Sequence, residues 1–120
     1  MRASIASLNR GTDSLELAFD SKALRTVCES ETVAKRKLGT KVAETLKHRL
    51  GDLRAATSIN DVIVGQPRLL DAANEQMVLD LGEGYRMIFC PNHPKKPVSE
   101  TGTLDWTKVS RVRILRVDNE

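Results

Sequence analysis

Residues 76–90 read QMVLDLGEGYRMIFC, and this is the most informative stretch of the 120-residue chain. Apolar residues recur at every second position in both halves, which is typical of strands with one buried face. The halves are joined by Gly82-Glu83-Gly84, whose glycines supply the positive φ angles of a three-residue hairpin connection. The stretch therefore predicts a β-hairpin, and Arg86 is a charge inside its second strand that needs a partner or a purpose.

The residues before the hairpin predict a strand followed by helices. Leu15 to Phe19 alternates as a half-buried strand, and Asp20 or Ser21 is suited to cap a helix that runs to about Cys28. Residues 30–38 predict a second helical piece that Gly39 ends. Residues 40–56 carry apolar residues at spacings of three and four, so they predict an amphipathic helix with Thr40 as its cap.

The residues around and after the hairpin predict loops and one last strand. Residues that favour turns or break helices predict loops over 57–75 and 91–105. Asp105 or Thr107 is suited to start a short turn. Ser110 to Val117 predicts the final strand, where Ile114-Leu115 indicates a bulge or burial on both sides. The order predicts an α+β fold of two layers, a RelE-like arrangement by the resemblance given below, with helices on a small, mostly antiparallel sheet.

Composition favours one soluble domain over residues 15–120, preceded by a flexible lead-in over residues 1–14 that is rich in small polar residues. A net charge of +3 and a pI near 9.1 favour an anionic partner, nucleic acid above all. Cys28 and Cys90 are interpreted as buried reduced thiols. No apolar run reaches the roughly 18 residues of a membrane span, and the first residues lack a secretory signal. We therefore expect a cytoplasmic protein without metal or cofactor.

Three segments together resemble a known family. They read SKALRTVCESETVAKRKLGTKVAETLKHRLGDLRAA from residue 21, MVLDLGEGYRMIF from residue 77 and LDWTKVSRVRILRV from residue 104. Their order is similar to that of the HigB-type killer protein toxins, which belong to the RelE/ParE superfamily of bacterial toxin–antitoxin systems. The resemblance implies a RelE-like fold, cleavage of mRNA on the ribosome or inhibition of gyrase, and a helix-turn-helix antitoxin of HigA type that binds operator DNA.

Metal-free RNA cleavage needs a base, a cation for the charged phosphorane and an acid. Arginine suits the second task because its fork meets two phosphate oxygens. Arg86 is the first candidate, because it lies where the resembled toxins have the arginine of their Tyr-Arg strand. Alternatively, Arg86 pairs with an acidic residue such as Asp80 or Glu83 and only stabilises the sheet. Arg68 lies near a position where related toxins often have a histidine, and it could bind phosphate but is a poor base. Alternatively, Arg68 is a solvated loop residue. His93 is the remaining candidate base, because it lies in a loop that is predicted to be mobile and basic.

Two basic clusters are candidates for contact with RNA. One surrounds Gly39 and contains Lys35, Arg36, Lys37 and Lys41; the other follows the last strand and contains Arg111, Arg113 and Arg116. With Arg86 on a neighbouring strand, the second cluster predicts a continuous positive face that binds RNA phosphates or acidic residues of an antitoxin. Either cluster could also be a solvated surface.

One departure from the family pattern leaves three functions open. Many of these toxins carry a catalytic tyrosine or histidine near the end of the last strand, where this sequence reads Val117-Asp118-Asn119-Glu120. The hypotheses are a ribosome-dependent mRNA endoribonuclease, a ParE-like toxin that binds a protein such as gyrase, and a module that only binds its antitoxin.

Overall fold

Three helices pack on a five-stranded sheet in the part of the chain that the computed structural model describes, residues 15–57, 59, 62, 65 and 67–119. The predicted lead-in, residues 1–14, lies outside these residues. The strands are β1 (Glu16–Phe19), β2 (Arg68–Asp71), β3 (Gln76–Gly82), β4 (Tyr85–Pro91) and β5 (Arg111–Asn119). The helices are α1 (Lys22–Glu29), α2 (Glu31–Leu38) and α3 (Thr40–Ala55), and a 3-10 helix covers Trp106–Lys108.

The sheet has the strand order β1-β5-β4-β3-β2, so β1 and β2 are its edges. β1 runs parallel to β5, and the other three pairings are antiparallel. The helices precede most of the strands in sequence and share one face of the sheet, which gives the two-layer α+β arrangement. The predicted fold class is therefore confirmed.

The central hairpin is confirmed with a tighter connection than predicted. Gly82 still pairs with Tyr85, so Glu83 and Gly84 alone form the turn, with φ angles of 54° and 79°. Gly82 itself has a φ of 85° and lies at a register shift in β3. The glycine assigned to the loop therefore belongs to the strand, where it forms the irregularity that lets a two-residue turn close.

Two serine side chains cap the first two helices, and one glycine separates the second helix from the third. Ser21 Oγ accepts from the Leu24 N–H at 3.1 Å, and Ser30 Oγ accepts from the Val33 N–H at 3.3 Å. Gly39, with a φ of 89°, separates α2 from α3. The prediction that Thr40 caps α3 is wrong, because Gly39 is the cap residue and Thr40 is already helical.

The core forms where the apolar face of α3 lies on the sheet. Val42, Leu46, Leu50 and Leu53 are buried there against one face of the three central strands. The strand residues in this cluster share a parity: they are Leu79, Leu81, Met87, Phe89, Val112 and Ile114. Apolar residues spaced by three and four in α3 and by two in the strands thus form two apolar faces that pack against each other.

Residues 57–75 are not all loop, because β2 lies within them. Leu69 pairs with Met77 of β3, and the Asn74 N–H donates to Asp71 Oδ1 at 3.2 Å in the turn between the two strands. The short run Arg-Leu-Leu-Asp lacks alternation, since Leu69 and Leu70 are 52% and 39% exposed. An edge strand with little burial leaves no periodic signal in the sequence.

The last strand extends further than predicted. β5 runs two residues beyond Val117 and places Asp118 opposite Arg86 of β4. The predicted bulge is confirmed, because the register between β4 and β5 shifts at Ile88/Phe89 and leaves Leu115 without a partner. Asp105 caps the 3-10 helix before β5, as predicted, by accepting from the Thr107 N–H at 3.1 Å.

Replacing Leu50 with alanine should lower the free energy of unfolding by about 3 kcal/mol, because Leu50 is 1% exposed and its loss leaves a cavity under α3. Leu69→Ala is the matched control, with an expected loss under about 1 kcal/mol at a half-exposed edge position. Urea denaturation followed by circular dichroism measures both values. Equal losses at the two positions would contradict the core assignment.

Candidate functional site

The second face of the sheet carries a row of charges that continues over four strands. Met87 and Phe89 of β4 point into the core, so Arg86 points to the opposite face. Pairing between strands puts further charged residues on the same face. We call it the arginine face, defined by Arg68, Asp80, Arg86, Arg111, Arg113, Arg116 and Asp118.

Asp118 holds two arginines at the centre of this face. Its Oδ1 accepts from Arg86 Nε at 3.1 Å, and its Oδ2 accepts from Arg116 Nε at 2.9 Å. Within the described residues, the terminal nitrogens of both arginines donate no hydrogen bond. One carboxylate therefore orients two guanidinium groups and leaves their outer donors available.

Arg86 is the more enclosed of the two arginines. Its side chain is 23% exposed, against 45% for Arg116. The sequence offered Asp80 or Glu83 as a partner; Asp80 does lie opposite Arg86 in the register, but the hydrogen bond is made to Asp118. That partner was missed because the strand was predicted to stop at Val117.

Arg68 is on strand β2 rather than in a loop, and its outer nitrogens are engaged. Nη1 and Nη2 donate to the two carboxylate oxygens of Asp80 at 3.1 and 3.0 Å, a bidentate pair. Asp80 in turn lies across from Arg86. The structure thus brings Arg68 and Arg86 to one region, yet Arg68 offers less to a ligand than Arg86 does.

His93 lies at the other end of β4 from Arg86. Its Nε2 accepts from the backbone N–H groups of Ser110 and Arg111, at 3.1 and 3.2 Å. Since both donors are N–H groups, Nε2 is the unprotonated ring nitrogen. At about 3.3 Å per residue, the two ends of the nine-residue strand β5 lie roughly 26 Å apart. His93 is a fixed structural acceptor there, and not the mobile group that the sequence predicted.

The predicted continuous positive face is interrupted by carboxylates. Arg111 lies 3.6 Å from Glu16, and Arg113 lies 3.8 Å from Asp20 and donates to Asn92 Oδ1 at 3.1 Å. Each arginine of the arginine face thus has an acidic neighbour. The shared face is confirmed, while its uniform positive charge is not.

The basic cluster around Gly39 belongs to the helical layer. α2 packs on α1 and α3, whereas Arg86 points away from the helices. Lys35 pairs with Glu31 at 3.0 Å, and this hydrogen bond raises the pKa of the lysine and lowers that of the glutamate. Arg36, Lys37 and Lys41 are exposed. The structure therefore separates this cluster from the arginine face.

Neither cysteine is an activated nucleophile. Burial raises the pKa of Cys28 to about 11, and burial also raises the pKa of Cys90. Both are free thiols of intermediate exposure. A thiol whose pKa is raised by burial is protonated at neutral pH and unreactive.

Within the described part of the chain, no group of three or more metal-binding side chains comes together. In the same residues, no helix is long and apolar enough to cross a membrane.

No protein-family model and no curated protein sequence matches the chain. Its fold is similar to that of two solved structures. The YoeB/ParE toxin from Agrobacterium tumefaciens superposes with a TM-score of 0.54 at 7% identity, over 88% of this chain and 99% of that one. The YoeB-YefM complex from Staphylococcus aureus gives a TM-score of 0.52 at 10% identity, over 88% and 97%. The chain therefore has the fold of these toxins, as the resemblance implied.

The thiol of Cys28 should react with iodoacetamide at pH 8 at least about a hundredfold more slowly in the native protein than in the urea-unfolded chain. With a pKa of about 11, about one thiol in a thousand is ionised at that pH. Mass spectrometry of the two cysteine peptides over time measures both rates. Native and unfolded rates that agree within about threefold would refute the assigned burial.

Proposed function

We propose that this chain is the toxin of a type II toxin–antitoxin system, and that it binds RNA phosphate through Arg86 and Arg116. The single observation that carries the proposal is the arrangement at Asp118, which holds both arginines by Nε. Their outer nitrogens are left for a ligand, and a pair of guanidinium groups matches the oxygens of a phosphodiester. The YoeB/ParE fold and the HigB-type sequence resemblance support the same function.

The favoured activity is ribosome-dependent cleavage of mRNA, without metal or cofactor. In such a reaction the outer nitrogens of Arg86 and Arg116 would stabilise the charge that grows on the scissile phosphate. Arg68 would act from β2, two strands away from Arg86, where it keeps the Asp80 carboxylate occupied. The helical basic cluster around Gly39 would dock on ribosomal RNA. His93 is left out of the proposed chemistry because its Nε2 is already an acceptor.

Proton transfer would fall to a carboxylate of the arginine face. Asp118 lies against both arginines that would hold the phosphate, so it is the group placed to accept a proton from a 2′-hydroxyl. Each of its oxygens makes one hydrogen bond to an arginine and keeps a further lone pair. Asp118 is therefore our candidate base, and it replaces His93 in that role.

The proposed partner is an antitoxin with a helix-turn-helix domain, of HigA type, that would also bring the toxin to operator DNA. One of the two similar structures is itself a complex, between YoeB and YefM. An acidic antitoxin segment would compete with RNA for the outer nitrogens of Arg86 and Arg116. Neutralisation would then be direct occupation of the arginine face.

A second candidate is a ParE-like toxin that binds a protein such as gyrase. It is favoured by the absence, among the described residues of the arginine face, of a histidine or tyrosine beside Arg86. Tyr85 precedes Arg86 but packs against the core on the other side of the strand. A module that only binds its antitoxin remains the third hypothesis.

Expression of the chain without its antitoxin should arrest growth, and Arg86→Ala should relieve the arrest. Arg54→Ala, at an exposed arginine of α3, is the matched control and should stay toxic. The Arg86→Ala protein should remain folded, because Arg116 still pairs with Asp118. Growth curves and circular dichroism of the purified variants measure both properties. Undiminished toxicity of Arg86→Ala would contradict the proposal.

The same cultures separate the two kinds of toxin. New 5′ ends in transcripts, mapped by primer extension after induction, are expected if the chain cleaves mRNA. Asp118→Asn should then abolish the new ends, whereas binding of RNA persists because the amide oxygen still accepts from one arginine. Growth arrest without new 5′ ends would favour the ParE-like candidate, and no arrest at all would favour the antitoxin-binding module.

A further inference from the structure

Arg49 of α3 is an arginine with an unused and fully buried donor. Its side chain is 18% exposed, and its Nε is buried without a hydrogen-bond partner, the one such side-chain atom in the described residues. Its ion-pair partner is Asp52, with Nη1 and Oδ2 3.7 Å apart, beyond ordinary hydrogen-bond length. A buried charged donor without an acceptor costs free energy, so this guanidinium is poorly satisfied within the protein. Because Nε itself is covered, a ligand would meet the guanidinium at its terminal nitrogens.

Gly65 fixes the position of this side chain. A Cβ at Gly65 would lie 2.7 Å from Arg49 Nε and 3.1 Å from its Cδ, so the glycine backbone rests directly on the arginine stem. Gly65 has a φ of 88°, and its carbonyl accepts from the Asp80 N–H at 2.7 Å. Gly65 is thereby anchored to β3 while it holds the guanidinium of Arg49 in place.

The arginine lines a cleft between α3 and the end of β3. The cleft has a volume of about 320 Å³, and its described lining residues are Thr45, Arg49, Gly65, Asp80, Leu81 and Gly82. Asp80 contributes the one carboxylate of this lining, and both of its oxygens accept from Arg68. The negative charge of Asp80 is therefore compensated by two hydrogen bonds, whereas Arg49 has only the long contact with Asp52.

We propose that this cleft is a phosphate-binding site in which Arg49 is the main ligand. The guanidinium is enclosed and held by Gly65, so little side-chain freedom remains to be lost on binding. A phosphate group brings several strong acceptors to the unused donors of the arginine. The phosphate can belong to a free anion or nucleotide or to an RNA backbone. Such a cleft would bind phosphate whether or not the chain is a toxin.

The first experiment follows the Nε–Hε resonance of Arg49 by nuclear magnetic resonance while inorganic phosphate is added at constant ionic strength. The resonance is assigned by its loss in Arg49→Lys, which keeps the charge and the stem. A saturable shift of this resonance, with no such shift on addition of chloride, is the expected result. Absence of a saturable shift would overturn the proposal.

The second experiment distinguishes the source of the phosphate. A fluorescent single-stranded RNA oligonucleotide is titrated with the wild type, Arg49→Ala and, as a matched change of charge on the same helix, Arg54→Ala. Loss of about tenfold or more for Arg49→Ala alone assigns the site to RNA phosphate. An unchanged RNA affinity together with the phosphate shift assigns it to a free anion. Equal losses for both variants would contradict a specific role for Arg49.

A pair of glycine variants tests the geometry without touching the arginine. Gly65→Ala should displace the guanidinium and weaken the phosphate response at Arg49 about tenfold. Gly102→Ala is the matched control, because Gly102 has a φ of 85° and a Cβ added there would meet nothing within 4 Å, so it shares only the backbone strain. An unaltered phosphate response in Gly65→Ala would refute the proposed site.

Discussion

The two-residue period of β4 is the constraint on which the rest of the structure depends. Its odd positions are buried against α3, and its even positions face the other side of the sheet. A shift of one residue would turn Arg86 toward the core under α3 and Phe89 toward the arginine face. The apolar contacts of Met87 and Phe89 therefore determine where the arginine points, and its place on the arginine face follows from core packing.

Asp118 orients the arginines of this candidate site. A lone arginine on a strand samples many rotamers, and ordering it costs conformational entropy. By accepting from the Nε atoms of Arg86 and Arg116, one carboxylate holds two guanidinium planes and does not consume their outer donors. Arg68 shows the opposite arrangement, because Asp80 takes both of its terminal nitrogens. The same residue type thus keeps its outer donors available in one place and pairs them within the sheet in the other.

Residues with a strong periodic pattern were predictable, and residues whose role depends on distant partners were not. The hairpin, α3 and the shared face of Arg86, Arg111 and Arg113 follow from alternation and helical spacing. β2 was missed because an exposed edge strand has no alternation. Asp118 and Arg49 were missed for another reason: their environment is created by strand register and by Gly65, which a linear pattern does not contain. His93 looked mobile because nothing in the sequence shows that two backbone N–H groups meet its ring.

The salt dependence of RNA binding tests the central claim, that Arg86 contacts phosphate, most directly. The affinity for a single-stranded RNA is measured at several salt concentrations for the wild type and for Arg86→Ala. If Arg86 neutralises one phosphate, the slope of log affinity against log salt should become shallower by about 0.7 in the variant. An unchanged slope, with affinity equal to that of the wild type at every salt concentration, would contradict the account.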